Sequence, residues 1–127
     1  MVIIVVEINI RVHPDVLFGY SANHIELILR VENRAKHNVW TEAEISVPEE
    51  LSLSPNSELR KGRVRVGIIG PKEFLEKAVR IYANSYTVPQ MYRCKTTFYV
   101  FDKDGIIESR MEKTKDIRCE LKKDAVL

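Results

Sequence analysis

The chain has 127 residues, a formal net charge of +2 from 20 Lys and Arg against 18 Asp and Glu, and 45% hydrophobic residues. This length allows a sizeable core without a metal or disulfide staple, and we expect a single domain over residues 1–127. The near balance of charge, without long like-charge blocks, excludes a polybasic or acidic tail for nucleic acid or membrane binding. The 14 Val and 13 Ile residues against 6 Ala indicate a mostly β protein, because β-branched side chains favour strands.

Alternating apolar and polar residues predict the first three strands. The even positions over 2–12 are apolar, and Pro14 ends this strand because proline cannot donate to a sheet. Residues 18–21 are then expected to turn the chain. The same period of two recurs over 25–31 and over 39–47, which predicts two further strands.

The middle of the chain predicts shorter elements. We expect short strands over 51–53 and 63–68, separated by a polar turn. Residues 71–77 begin with proline and have the composition of a single helical turn. Alternation returns over 79–86, which predicts another strand.

The last third predicts a long hairpin. Residues 92–101 alternate as a strand, and 102–105 have the Asp and Gly residues of a tight turn. A returning strand follows over 107–121, and the polar residues 113–115 predict a bulge or bend within it. About 7–8 strands without a long helical pattern predict an all-β fold, an antiparallel β-sandwich.

The order of these features resembles a known family. Residues Ile25–Asn33 and Asn38–Leu53, with their Asn turn and a Pro-x-x-Leu motif ending at Leu51, resemble prokaryotic immunoglobulin-like modules of the CARDB and NEW3 kind. Ile68–Pro71 and Tyr92–Asp102 agree with that family in spacing. The resemblance implies an immunoglobulin-like β-sandwich used for adhesion, spacing or interaction, most often within larger surface proteins. Such folds host unrelated functions.

The two cysteines are expected to be separate. Tyr92 and Cys94 resemble the Tyr-x-Cys of antibody-type domains, but the earlier strand lacks the cysteine that would complete their disulfide. If the hairpin centres on Asp104 and Gly105, Cys94 faces Lys115 and lies about 13 Å from Cys119. A disulfide needs Cα atoms within about 7 Å, so we expect two buried thiols unless a bulge or another pairing intervenes.

No catalytic, cofactor or metal site is predicted. Asp102 and Asp104 resemble the start of a calcium loop, but the later ligands of such a loop are missing. His13, His24 and His37 do not have metal-ligand spacing, and no nucleophile motif occurs. We therefore expect a protein that is not an enzyme and holds no cofactor.

Apolar residues on outward positions are the candidate interface. Those that lie opposite the core positions of their strands are Ile3, Val5, Ile28, Trp40, Tyr99 and Phe101. Alternatively, a bulge near Trp40 turns this side chain into the core, or loops cover these residues. Arg63 and Arg65 share an outward face in the basic segment 60–80, which is either a phosphate-binding face or a charged edge strand.

The leading functional hypothesis is a non-catalytic protein-interaction or structural module. Its partner is another protein or a second copy, bound through the apolar face or by edge-strand pairing. Small-ligand or carbohydrate binding through Trp40 and neighbouring aromatics is the alternative, and nucleic-acid binding through segment 60–80 is a third hypothesis.

The sequence has no evident targeting signal. Residues 1–6 lack a basic region and are too short an apolar run for a signal peptide, and no run approaches the roughly 18 apolar residues of a membrane helix. We expect no membrane partner and a cytoplasmic location by default, with an extracellular one left open. A single Gln among many Lys, Glu and Arg suggests a thermophilic prokaryote.

Overall fold

The structure is a computed structural model that describes residues 5–122, and within this range it contains eight β-strands and no helix. The strands are β1 (Val6–His13), β2 (Val16–Phe18), β3 (Asn23–Asn33), β4 (Val39–Ser46), β5 (Lys61–Ile69), β6 (Phe74–Ala83), β7 (Met91–Phe101) and β8 (Ile107–Glu120).

The strands form two sheets that pack face to face. The first sheet has the order β1-β3-β6, and the second has the order β2-β8-β7-β4-β5. All neighbouring strands are antiparallel except β2 and β8, which run parallel. The predicted all-β, antiparallel immunoglobulin-like sandwich is confirmed, with the short strand β2 as the exception.

The core consists of the inward positions of both sheets. Period-two alternation places one side of each strand in the core, since successive side chains point to opposite faces. The largest fully buried side chain is Phe98 of β7. The other buried core residues include Leu17, Ile25, Leu27, Leu29, Val31, Ala43, Ile45, Ile69, Ile81, Val100 and Ile117.

A buried asparagine fixes the loop between β3 and β4. The Asn33 side-chain amide donates to the carbonyls of His37 and Ile69, at 2.8 and 2.9 Å. Its Oδ1 accepts a hydrogen bond from the Ala35 backbone N–H at 2.8 Å. This side chain therefore ties the loop before β4 to the end of β5.

Several local predictions were wrong. The helical turn over 71–77 does not form, because Phe74 opposite Glu32 begins a strand that pairs with β3. The chain turns over 19–21 as expected, but the strand β2 precedes that turn. Residues 113–115 pair regularly with β7 and form no bulge. Residues 51–53 contribute a single bridge, Ser52 to Tyr82.

The hairpin prediction for the cysteines is confirmed. Cys94 lies opposite Lys115, and both Cys94 and Cys119 are buried and free. Burial raises the pKa of the Cys94 thiol to about 12. The Tyr92 hydroxyl donates to the Val88 carbonyl, which is the tyrosine corner found in immunoglobulin-like domains.

Candidate interaction face

The outer face of the five-stranded sheet carries four apolar side chains in one row. Trp40 of β4 lies opposite Ile68 of β5 on one side and Phe101 of β7 on the other. Phe101 in turn lies opposite Ile107 of β8. These four residues, called the apolar row below, cross four adjacent strands at one end of the sheet.

A β-bulge in β5 places Ile68 in this row. The register between β4 and β5 shifts where Thr41 pairs with Gly67 and Glu42 pairs with Arg65. One extra residue, Val66, therefore stands in β5 and reverses the phase of the strand beyond it. Gly67 has a φ of +132°, a conformation that side chains with a Cβ rarely adopt.

The bulge does not turn Trp40 into the core. Trp40 stays on the outer face between the buried residues Val39 and Thr41, and its side chain is half-buried. Its ring meets that of Phe101 at a centroid distance of 6.0 Å and an angle of 55°. The Trp40 ring is therefore held in place by neighbours on the sheet surface.

The two predicted arginines lie against the predicted aromatics. The Arg65 guanidinium carbon is 5.3 Å from the centroid of the Trp40 ring, and that of Arg63 is 4.6 Å from the centroid of Tyr99. Both distances fall within the range of cation–π contacts. Arg63 Nε also donates to Glu42 Oε1 at 2.6 Å. Arg65 has no carboxylate partner among the described residues.

Away from the apolar row the same face has paired charges. Lys61 pairs with Glu44 at 3.2 Å, and Lys95 pairs with Glu112 at 3.2 Å. The hydrogen bond from Lys95 is the main cause of the lowered pKa of Glu112. A hydrogen bond with Tyr99 raises the pKa of Arg110. Ion pairs therefore neutralise most of the charge on this part of the sheet, in contrast to Arg65 at the apolar row, which has no carboxylate partner among residues 5–122.

A small cavity lies beside the apolar row. It has a volume of about 230 Å³, and its lining includes Trp40, Ile68, Asn38 and Asp102. A larger groove of about 480 Å³ lies at another part of the surface, between the loop 49–60 and the chain after β6. The second groove has no contact with the apolar row.

The predicted interface residues lie in three places. Trp40, Tyr99 and Phe101 share the outer face of the five-stranded sheet. Ile28 lies on the three-stranded sheet, between Arg11 and Ala78, without a large apolar neighbour in register. Val5 is half-buried and packs against the core, unlike the outward placement that was predicted. Ile3 lies outside the described residues.

Sequence reasoning missed two members of the apolar row. Ile68 is 69% exposed and Ile107 is 55% exposed, the largest exposures in the row. Strict alternation continued from Val64 and Val66 would place Ile68 on the inward side, and Gly67, a glycine within a strand, is the sequence signal of the bulge. Ile107 was missed because the register of β7 and β8 shifts between Val100 and Phe101, so that Phe101 pairs with Ile107 and not with Glu108.

The described residues do not combine into a metal site. No group of three His, Cys, Asp or Glu side chains within 5–122 could hold an ion. The nearest approach of this type is a pair, His37 Nε2 and Glu108 Oε1 at 2.6 Å. Within the same range no helix is long and apolar enough to cross a membrane.

The fold is an immunoglobulin-like β-sandwich that resembles CARDB domains. Neither a protein-family model nor a curated protein matches the chain. It resembles the CARDB domain of a Pyrococcus furiosus protein, solved in complex with di-metal ions, with a TM-score of 0.51 and 20% identity. That match covers 96% of this chain and 100% of the other.

A second solved structure has a similar fold. The chain resembles Spo0M, the sporulation control protein of Bacillus subtilis, with a TM-score of 0.51 and 14% identity. The match covers 94% of this chain and 51% of Spo0M, so the chain spans about half of that protein. At these identities the two likenesses establish the fold alone.

Proposed function

We propose that this chain is a non-catalytic module that binds a partner protein through the outer face of its five-stranded sheet. The observation that carries the proposal is the apolar row, four side chains in register across four strands. Exposed apolar residues scattered singly are ordinary, whereas a contiguous group marks an interaction surface. The CARDB-like fold is compatible with this role, although such folds host many functions.

The row has the composition of an interface centre. Trp40 supplies an aromatic anchor, and residues of this type carry much of the binding energy in protein interfaces. Ile68 and Ile107 are exposed on either side of it. Paired charges such as Arg63 with Glu42 surround the row and supply a polar rim.

Arg65 defines the chemistry of the partner. Its guanidinium lies over Trp40 and has no carboxylate partner among the described residues. A carboxylate from a partner would pair with this guanidinium, which the Trp40 ring holds from its other side. We therefore expect a partner segment that places apolar side chains on the row and an Asp or Glu beside Arg65.

Peptides selected from a random display library against the immobilised protein test this proposal. The selected peptides are titrated into isotopically labelled protein while amide and indole shifts are followed by NMR. We expect shifts centred on Trp40, Ile68, Phe101 and Ile107, and peptides that combine apolar with acidic residues. The emission of Trp40, the single tryptophan, should also change on binding.

A matched pair of variants controls this experiment. Ile68→Lys should weaken peptide binding about tenfold or more, because it places a charge at the most exposed position of the row, next to Trp40. Leu121→Lys makes the same kind of change outside the row, at a residue that is 64% exposed against 69% for Ile68. It should leave peptide binding unchanged. Peptides that perturb only the larger groove near Tyr86, or no selectable peptide at all, would contradict the proposal.

Carbohydrate binding is the second candidate because the small cavity combines Trp40 with the polar groups of Asn38 and Asp102. Its volume of about 230 Å³ is below the roughly 300 Å³ at which small-molecule pockets usually begin. We therefore rank it after protein binding. A panel of mono- and disaccharides that shifts Trp40 emission saturably would reverse this order.

Nucleic-acid binding ranks third. Arg63 is paired with Glu42 and Lys61 with Glu44, so these cations are partly neutralised before any phosphate approaches. Retention on heparin that falls steeply with salt would support nucleic-acid binding, and elution at low salt would rule it out.

A further inference from the structure

The outer edge of β8 is open along most of its length. β8 has 14 residues, but β2 pairs only with its last part, Arg118–Glu120. Within residues 5–122 no strand pairs with the same edge over Ile107–Ile117. A cavity of about 370 Å³ lies beside it, lined by Arg11 of β1 and Lys115 of β8 among others. An unpaired edge of this length is a template for another strand.

The backbone direction along this edge follows from two hydrogen bonds. The Cys119 N–H donates to the Gln90 carbonyl on the β7 side, and the Glu120 carbonyl accepts from Gly19 beside β2. Backbone groups of successive residues in a strand point to alternate sides. The even-numbered residues therefore present their N–H and C=O groups to the open edge, namely Arg110, Glu112, Thr114 and Asp116.

We propose that β8 pairs antiparallel with β8 of a second copy, about a twofold axis at Met111. In this register Arg110 of each copy lies opposite Glu112 of the other, and both residues direct their backbone groups to the shared edge. Met111 meets Met111 of the second copy on the inner face. Opposite charges directly across an antiparallel pair stabilise it.

Three of the neighbouring registers oppose like charges. An axis at Arg110 or at Glu112 places that residue against its own copy, and an axis at Lys113 brings two ammonium groups together. Like charges directly opposite each other destabilise a strand pair. The Met111 register avoids all of these, and it also leaves β2 and its pairing with Arg118 undisturbed.

The pairing would join two five-stranded sheets into one of ten strands. The twofold axis is perpendicular to the sheet, so both outer faces lie on the same side. At about 4.8 Å per strand and 3.4 Å per residue, the two Trp40 residues stand about 31 Å apart. The pairing itself is independent of the proposed function, but it would make each dimer bivalent for any partner of that face.

Engineered disulfides test the register. Across the axis the Met111 residues form a non-hydrogen-bonded pair with Cα atoms about 4.5 Å apart, within disulfide range. Met111→Cys should give a covalent dimer on mild oxidation, while the native Cys94 and Cys119 are buried and serve as internal controls. Lys113→Cys lies on the same face and is more exposed, but its two copies would be about 13 Å apart. It should not cross-link.

Sedimentation of the reduced protein tests the association itself. Wild-type protein should form a reversible dimer, and Glu112→Arg should weaken it about tenfold or more by opposing two arginine pairs. The double variant Arg110→Glu with Glu112→Arg restores opposite charges and should recover the dimer. Far-UV circular dichroism checks that each variant is folded.

Two outcomes would overturn the pairing. One is a wild-type protein that stays monomeric up to its solubility limit, and the other is Lys113→Cys cross-linking as fast as Met111→Cys. Ile68→Lys should leave the dimer intact, because this residue lies three strands away from β8 on the far edge strand. Failure of the edge pairing and failure of the peptide-binding face are therefore distinguishable.

Discussion

Two buried threonines in different hydrogen-bonding environments give a quantitative test of the core beneath the candidate face. Thr41 and Thr87 are both 0% exposed. Thr41 Oγ1 is buried without a hydrogen-bond partner among the described residues. Thr87 Oγ1 donates to the Glu50 carbonyl and accepts from the Asn84 N–H, both at 2.9 Å. Replacement by valine keeps the shape of each side chain and removes only the hydroxyl.

The two substitutions should have opposite signs. A buried hydroxyl without a partner costs about 1–3 kcal/mol, so Thr41→Val should raise the free energy of unfolding by about 1–2 kcal/mol. Thr87→Val leaves two backbone groups without their partner and should lower it by about 1–3 kcal/mol. With an unfolding entropy of about 2.1 cal/mol/K per residue over 127 residues, 1 kcal/mol shifts the Tm by about 4 °C.

Urea unfolding followed by circular dichroism measures both changes. The m-value should stay constant, because neither substitution changes the surface exposed on unfolding. The reasoning would be refuted if Thr41→Val were less stable than wild type, with a loss in the free energy of unfolding like that of Thr87→Val. Such a result would mean that the Thr41 hydroxyl has a partner that stabilises the fold.

Three further changes test other features of the fold. Tyr92→Phe removes the hydrogen bond of the tyrosine corner and should cost about 1 kcal/mol in denaturant unfolding; an unchanged midpoint would contradict it. The Cys94 thiol stays neutral in the folded protein because its pKa is raised to about 12, whereas in the unfolded chain it ionises near 9.0. The difference in the free energy of unfolding between wild type and Cys94→Ala should therefore be constant below pH 9. Above pH 9 the stability of wild type relative to the variant should fall, by up to about 1.4 kcal/mol per pH unit. A constant difference up to pH 10.5 would argue against the burial of this thiol. Gly67→Ala should cost about 1–3 kcal/mol, because its φ is +132° and a Cβ would lie 2.8 Å from Leu75. Gly105→Ala, with a φ of +78° but open space around it, should cost less, and equal losses would contradict the steric part of this prediction.

Much of the fold could be predicted because strand alternation is local information. The buried and exposed positions of β3 and β4 follow the sequence residue by residue. The hairpin position at Gly105 was enough to place Cys94 opposite Lys115. By contrast, Phe74 begins a strand because β3 lies beside it, and this neighbour overrides a local pattern that favours a helical turn.

The candidate face could be predicted only in part. The outward phase of Trp40 and Tyr99 is visible in the alternation of their own strands. That Arg63 and Arg65 stack on them depends on the sheet order β5-β4-β7, which no local pattern contains. Ile68 was missed because a single residue inserted in β5 reverses the alternation on which its assignment was based.

The bulge in β5 makes the exposure of Ile68 a property of backbone conformation rather than of residue type. Ile68 and Ile69 have the same side chain, yet one is 69% exposed and the other is fully buried. If β5 paired with β4 without the bulge and kept all its residues, Ile68 would take the inward position and Ile69 the outward one. The apolar row therefore depends on the backbone conformation at Gly67, where φ is +132°, as much as on the isoleucine side chain itself.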